Sequence, residues 1–181
     1  MGKNDRIILI DTDVVSHFIY AGELLTLPSI FSHKIKVLDK VYDELKRFQK
    51  RKTEVDNLIN FKVLELMPFP EDNDEIKKEY AYIKKLMFKG DGEAACLAVA
   101  RYSKNILASS NLRDIAPYCK MHNIDYLTTM DFLCEALKKG IFDLVRCNAF
   151  ITKVLAASNK LPVTKMEDFK CVDKNFMKVA V

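Results

Sequence analysis

Ile7-Ile8-Leu9-Ile10-Asp11-Thr12-Asp13-Val14-Val15 is the stretch that decides the fold. Four consecutive apolar residues, three of them isoleucine, end abruptly on an acid. A run without polar alternation reads as a strand buried on both faces, and such strands belong to parallel sheets covered by helices. Val14, Val15, Phe18 and Ile19 then recur at helical spacing. A buried strand, a tight turn and an amphipathic helix make the opening half of a βαβ unit.

The same alternation continues outward along the chain. Strands are predicted over 34–38, 61–66 (closed by Pro68 and Pro70), 105–109 and 124–127. Helices are predicted over 24–31 (interrupted by Pro28), 40–48, 53–60, 94–102, 112–121, 130–139 and 142–157. A long helix begins in the acidic run Glu71 to Glu75 and reaches about Lys89, its last turns carrying Lys84 and Lys85. Both charge signs complement the helix dipole, and Gly90 stops the helix. Thr128-x-x-Asp131 has the pattern of a capping box, and Gly140 ends the helix it opens. The reading is an α/β fold, a three-layer α/β/α arrangement around a mostly parallel sheet of about five strands. Residues 1–140 form its core, and residues 141–181 form a C-terminal helical extension packed on that core.

Composition narrows the function. The chain has 181 residues, 49% apolar and 30% charged, with a net charge of +4. That balance excludes a disordered chain and suits one domain. Its 5 glycines form neither G-x-G-x-x-G nor G-x-x-x-x-G-K-[ST], which excludes the phosphate-cradling loops. No apolar run is long enough to span a membrane, and the N-terminal run is too short for a signal peptide. Cys96, Cys119, Cys134, Cys147 and Cys171 are odd in number and lack C-x-x-C spacing. They are expected to be buried thiols in a reducing cytoplasm, neither zinc ligands nor disulfides. His17, His33 and His122 form no H-x-x-x-H pair, so neither a histidine metal site nor a Ser-His-Asp triad is supported.

Ligand sites of open α/β sheets lie at the carboxyl ends of the strands. Asp11 directly follows the first strand, with Asp13 two residues on. Glu44 falls in the helix after the second strand. Glu93 opens the helix that leads to the fourth strand, and Ser109, Ser110, Asn111 and Asp114 follow that strand. Carboxylates without histidine or cysteine make a hard-oxygen set that suits Mg2+ or Mn2+. Each residue also has a plain structural reading. Asp13 reads as an N-cap, Asp91 as a cap or turn residue, and Asp114 as the third residue of a helix capped by Asn111. Glu44 and Glu93 read as ordinary helical acids. That reading is weakest for Asp11, because a carboxylate directly after a buried strand is costly to desolvate without a partner.

Taken in order, these segments resemble the PIN-domain nucleases. The resemblance rests on Ile8-Leu-Ile-Asp11-Thr-Asp13, Val41-Tyr-Asp-Glu44-Leu, Gly90-Asp-Gly-Glu93-Ala-Ala and Leu107-Ala-Ser-Ser-Asn-Leu-Arg-Asp114, and spans roughly residues 7 to 140. It implies a PIN-like fold and a Mg2+/Mn2+-dependent endoribonuclease acting on single-stranded or structured RNA. It further implies Asp11, Glu44, Glu93 and Asp114 as the catalytic set, with Asp11, Glu93 and Asp114 holding metal and Asp13, Ser110 and Asn111 in support. Many members are VapC-like toxins, which implies an antitoxin protein as a partner. The chain departs from the commoner pattern after the fourth strand. Ser109-Ser110-Asn111 stands where many members carry an Asp pair; a variant pattern has Asn there and Asp three residues on, which Asn111 and Asp114 fit.

Residues 34–52 carry eight Lys or Arg against three acids. Lys46, Arg47, Lys50 and Arg51 are therefore expected to track RNA phosphates beside Glu44. An ordinary solvated helix reads equally well there. The apolar faces of 14–19 and 142–155 suit either the core or a homodimer. Two other readings stand beside the nuclease. Asp11-Thr-Asp13-Val with Ile106-Leu-Ala-Ser109-Ser110-Asn111 also resembles the first two motifs of haloacid-dehalogenase-type phosphatases, with Asp11 as nucleophile and Asp13 as general acid. That leaves Glu44 and Glu93 unexplained and lacks the downstream acidic pair. The other reading is a non-catalytic RNA-binding protein that keeps the acids only as structure.

Overall fold

The computed structural model describes residues 6–87 and 90–177, apart from the side chains of Lys50 and Asn175. Five strands form one sheet: β1 (Ile8–Ile10), β2 (Ile35–Leu38), β3 (Glu65–Met67), β4 (Ile106–Ala108) and β5 (Tyr126–Leu127). Their order is β3-β2-β1-β4-β5, and every neighbouring pair is parallel. The helices are α1 (Thr12–Ala21), α2 (Leu27–Ile30), α3 (Asp39–Leu45), α4 (Gln49–Asn60), α5 (Asp74–Met87), α6 (Asp91–Ser103), α7 (Leu112–His122), α8 (Thr129–Lys138) and α9 (Leu144–Ala156). They flank the sheet in a three-layer α/β/α arrangement, as the buried first strand requires. All six residues of β1 and β4 are inaccessible to solvent.

Local signals account for most boundaries. The N–H of Gly22 closes α1 from a left-handed conformation (φ 73°), bonding to the carbonyls of Ile19 and Phe18. Thr128 and Asp131 make the expected capping box on α8, and Gly140 at φ 68° follows its end. β3 is displaced from the predicted 61–66. Lys62 takes a positive φ, and the N–H groups of Val63 and Leu64 both reach back to the carbonyl of Leu58 at the end of α4. The strand therefore starts only at Glu65, and Phe61 is left 75% exposed. The predicted end of the long helix, at 88–89, falls outside the described residues.

Residues beyond 141 share the core with what precedes them. Phe142, Cys147, Phe150, Ile151 and Val154 belong to the same buried cluster as Phe18 and Leu133. The rings of Phe150 and Phe18 meet edge to face at 4.9 Å. Arg146 holds Glu23 with two N–H donors, at 2.8 and 2.6 Å.

The cysteine reading is corrected in part. Cys134 and Cys171 form a disulfide, while Cys96, Cys119 and Cys147 are free and buried. Cys171 is exposed, in a tail that folds back against α8. Ion pairs Lys138–Asp173 (2.9 Å) and Lys174–Asp131 (3.5 Å) flank the bridge. The two cysteines are 37 residues apart, and only the return of the tail brings them together. With this pair, the thiols no longer argue for a reducing compartment. Among the described residues, no helix is long and apolar enough to cross a membrane.

The chain builds the sheet outward from β1 to β2 and β3, then crosses back to place β4 and β5 on the other side of β1. The order reverses between β1 and β4. Their carboxyl ends therefore splay apart into a crevice, which is where such sheets bind ligands.

Candidate active site

Asp11 stands at that reversal, 4% exposed. It is the N-cap of α1, its Oδ1 accepting the Thr12 N–H at 2.7 Å. The expectation that Asp13 is the cap is corrected, because the chain enters the helix two residues earlier. Asp13 instead spans the crevice. Its Oδ1 accepts the Val14 N–H at 2.6 Å, and its Oδ2 accepts the Ser110 N–H, from beyond β4, at 2.7 Å.

Glu44 reaches the same place from α3. Its Oε2 accepts the Thr12 hydroxyl at 2.8 Å, and its Oε1 accepts the Gly92 N–H at 3.0 Å. Room for this carboxylate depends on two glycines. A Cβ at position 90 would lie 2.9 Å from Glu44 Oε1; one at 92 would lie 3.0 Å from Oε2 and 3.1 Å from the Val41 backbone. Gly90-Asp91-Gly92 is thus a close-approach motif. Asp91 between them is the first residue of α6 and bonds to the Tyr80 hydroxyl and Lys84, both at 2.8 Å.

Glu93 lies in the first turn of α6, 8% exposed. Its Oε1 accepts the Asn111 side-chain amide at 3.2 Å, and the same amide donates to Asp114 Oδ2 at 2.8 Å. Asn111 does precede α7, with Asp114 at its third position, but its side chain serves the two carboxylates and caps no helix N–H. Ser110 is anchored elsewhere. Its hydroxyl contacts Thr129 Oγ1 at 2.8 Å and accepts the Thr129 N–H at 2.9 Å, and Thr129 in turn holds His17 Nδ1 at 2.8 Å.

A cleft of about 300 Å³ is lined by Asp11, Asp13, Glu44, Glu93 and Asn111, with Arg51 and Asn159 also on its wall. Burial pushes the Asp11 carboxyl well above its usual range; the charges of Asp13, Glu93 and Glu44 push it further, against the opposing Thr12 N–H. Burial also raises Asp13, opposed by its bonds from Ser110 and Val14. Burial first, then the charge of Asp11, pushes the Cys96 thiol far up, so it stays protonated and inert.

Among the described side chains of the cations expected to meet RNA, Arg51 alone lines this cleft. Its guanidinium donates to the Tyr20 hydroxyl at 2.6 Å and lies over the Phe48 ring at 4.4 Å. Lys46 pairs with Asp43 at 2.6 Å, and Arg47 lies 3.9 Å from Asp91. The side chain of Lys50 is outside the described residues. Asp114 lines the adjoining cavity and touches the cluster through Asn111. Thr12 and Asn159 were not anticipated. Thr12 is legible only as the residue between two acids, and Asn159 reaches the cleft only because α9 ends beside it.

The donors are carboxylate, amide and hydroxyl oxygens, the chemistry of a hard divalent cation. Among the described residues, no three His, Cys, Asp or Glu side chains converge as ligands of one ion. Mg²⁺ usually takes one or two carboxylates and keeps several waters, a role that Asp11 and Glu93 fit. Fold and site define a doubly wound α/β protein with a carboxylate-lined cleft at its topological switch point. The chain matches no protein-family model and no curated protein.

Proposed function

We propose that the chain is a Mg²⁺- or Mn²⁺-dependent endoribonuclease that hydrolyses phosphodiester bonds of RNA. The observation that carries the proposal is the gathering of Asp11, Asp13, Glu44 and Glu93, from distant parts of the sequence, into one cleft at the switch point. Burying mutually repelling carboxylates is costly, and a cation-dependent reaction supplies the reason for it.

Asp11 and Glu93 would hold the cation. Bound there, it would neutralise the scissile phosphate and acidify a water molecule. Glu44 is pinned by Thr12 and Gly92, so it adds fixed negative charge beside the pair. Asn111 and Asp114 hold Glu93 in place. Arg51, fixed by Tyr20, is placed to receive a phosphate on the cleft wall. Asp13 is a positioning residue. Both of its oxygens accept backbone N–H groups, which leaves it poorly suited to serve as the general acid of a phosphatase.

Single-stranded RNA incubated with Mg²⁺ or Mn²⁺ tests this reading. Wild type should cut it, and Asp11→Asn and Glu93→Gln should each lose at least about a thousandfold, about 4 kcal/mol of transition-state stabilisation. Undiminished cleavage by a folded Asp11→Asn variant sinks the assignment.

A further inference from the structure

A second, larger cavity adjoins the carboxylate cleft. It encloses about 830 Å³ and shares Asp13, Asn111 and Asn159 with the cleft, so the two spaces lie side by side. One wall comes from the switch point and α7, the other from the segment after α9, with Leu161, Pro162 and Phe169. Ser158, at φ 61°, turns the chain after α9 so that 159–162 run along the cavity.

The lining is mixed. Leu112, Met130, Leu161 and the Phe169 ring provide apolar surface, Arg113 and Lys160 provide positive charge, and Asp13 and Asp114 provide negative charge on the side shared with the carboxylate cluster. Among the described residues neither cation is held in an ion pair. Apolar faces beside free cations suit a ligand that is flat and apolar at one end and anionic at the other. The volume lies within the roughly 300–1,000 Å³ typical of small-ligand pockets.

Resting on the nuclease reading of the adjoining cleft, we propose that this cavity seats an unpaired nucleotide of the RNA next to the scissile phosphate. Its base stacks on Phe169 and the apolar wall, and its phosphate meets Lys160 and Arg113. The C-terminal extension is thereby a substrate-selecting wall. A duplex does not satisfy the site, because its bases are stacked and paired and one would have to be extruded against both. An unpaired base carries no such cost, and base–aromatic stacking tolerates any sequence.

The test is fluorescence anisotropy with a 5′-fluorescein-labelled 12-nucleotide single-stranded RNA, and the same RNA annealed to its complement. Binding is measured in EDTA so that no cleavage intervenes. The single strand should bind at least tenfold tighter than the duplex. Lys160→Glu and Phe169→Ala should each weaken single-strand binding about tenfold, with the duplex little changed. Lys160 is exposed, so its substitution leaves the fold intact; a thermal melt checks Phe169→Ala, whose ring packs partly on the core. Equal affinity for the two RNAs, or unchanged single-strand affinity in Lys160→Glu, overturns the proposal. Cleavage in Mn²⁺ is scored separately. A wild type that cuts while Lys160→Glu binds normally keeps the nuclease and loses the pocket. A wild type that binds single strands through Lys160 but never cuts keeps the pocket and loses the nuclease.

Discussion

Two carboxylates are buried to a similar degree in this molecule with opposite consequences. Glu79 on α5 is 8% exposed, and Asp11 at the switch point is 4% exposed. Glu79 accepts the Tyr118 hydroxyl and pairs with Arg101, both at 2.5 Å. Its charge is answered where it lies, and the trio ties α5, α6 and α7 together. The charges that bear most on Asp11 are Asp13, Glu93 and Glu44, all of its own sign. Burial alone therefore does not mark a functional acid. The sign of what surrounds it does: an answered charge holds the fold, whereas a repelled one is kept at a cost that folding alone does not require.

The largest effect expected from this contrast is on stability. Glu79→Ala strands the Arg101 guanidinium and the buried Tyr118 hydroxyl, and should cost about 3 kcal/mol in urea denaturation while leaving the proposed RNA cleavage intact. A loss below about 1 kcal/mol would place Glu79 with the surface acids and break the comparison.

A second buried ionisable group sharpens the contrast by pH. His17, on α1 against the larger cavity, is lowered by burial to about 4. Its folded value lies below its unfolded one, so the unfolded chain takes up a proton first. Stability should fall as pH drops from about 6.5 to 4, by on the order of 3 kcal/mol for this group. Denaturation curves of His17→Gln should be flatter than wild type across that window; parallel curves would mean that His17 is protonated in the fold.

The smallest effect has the opposite sign. The folded-state value of Asp11 is raised, so this group's contribution to stability is lost as pH rises through that range, and at neutral pH its charge destabilises. Asp11→Asn keeps an N-cap acceptor for Thr12 while removing the repulsion. In EDTA at pH 7 it should melt about 2–4 °C higher than wild type, as about 1 kcal/mol gives for a chain of this size. A lower melting temperature would show Asp11 to be an answered charge like Glu79.

Much of this was legible one segment at a time. β1 was readable because an unbroken apolar run puts apolar side chains on both faces of a strand, and the Thr128–Asp131 capping box because its partners are three residues apart. The candidate acids stood out by following strands or opening helices. The displaced β3 was not readable, since the positive φ of Lys62 depends on how α4 ends against Leu58. The Cys134–Cys171 pair was not readable either, because nothing local distinguishes a cysteine that a returning tail will meet.

Sequence by itself determined the parallel α/β class, the capping box of α8 and the acids following the strands, since each is written in periods of two or 3.6 or in contacts within a few residues. Only the tertiary structure decided that Asp13 spans β1 and β4, that Gly90 and Gly92 make way for Glu44, and that Asn159, Lys160 and Phe169 wall the cavity beside the cleft. These are contacts between segments tens of residues apart. The order in which the strands stack decides them, and no local pattern encodes that order.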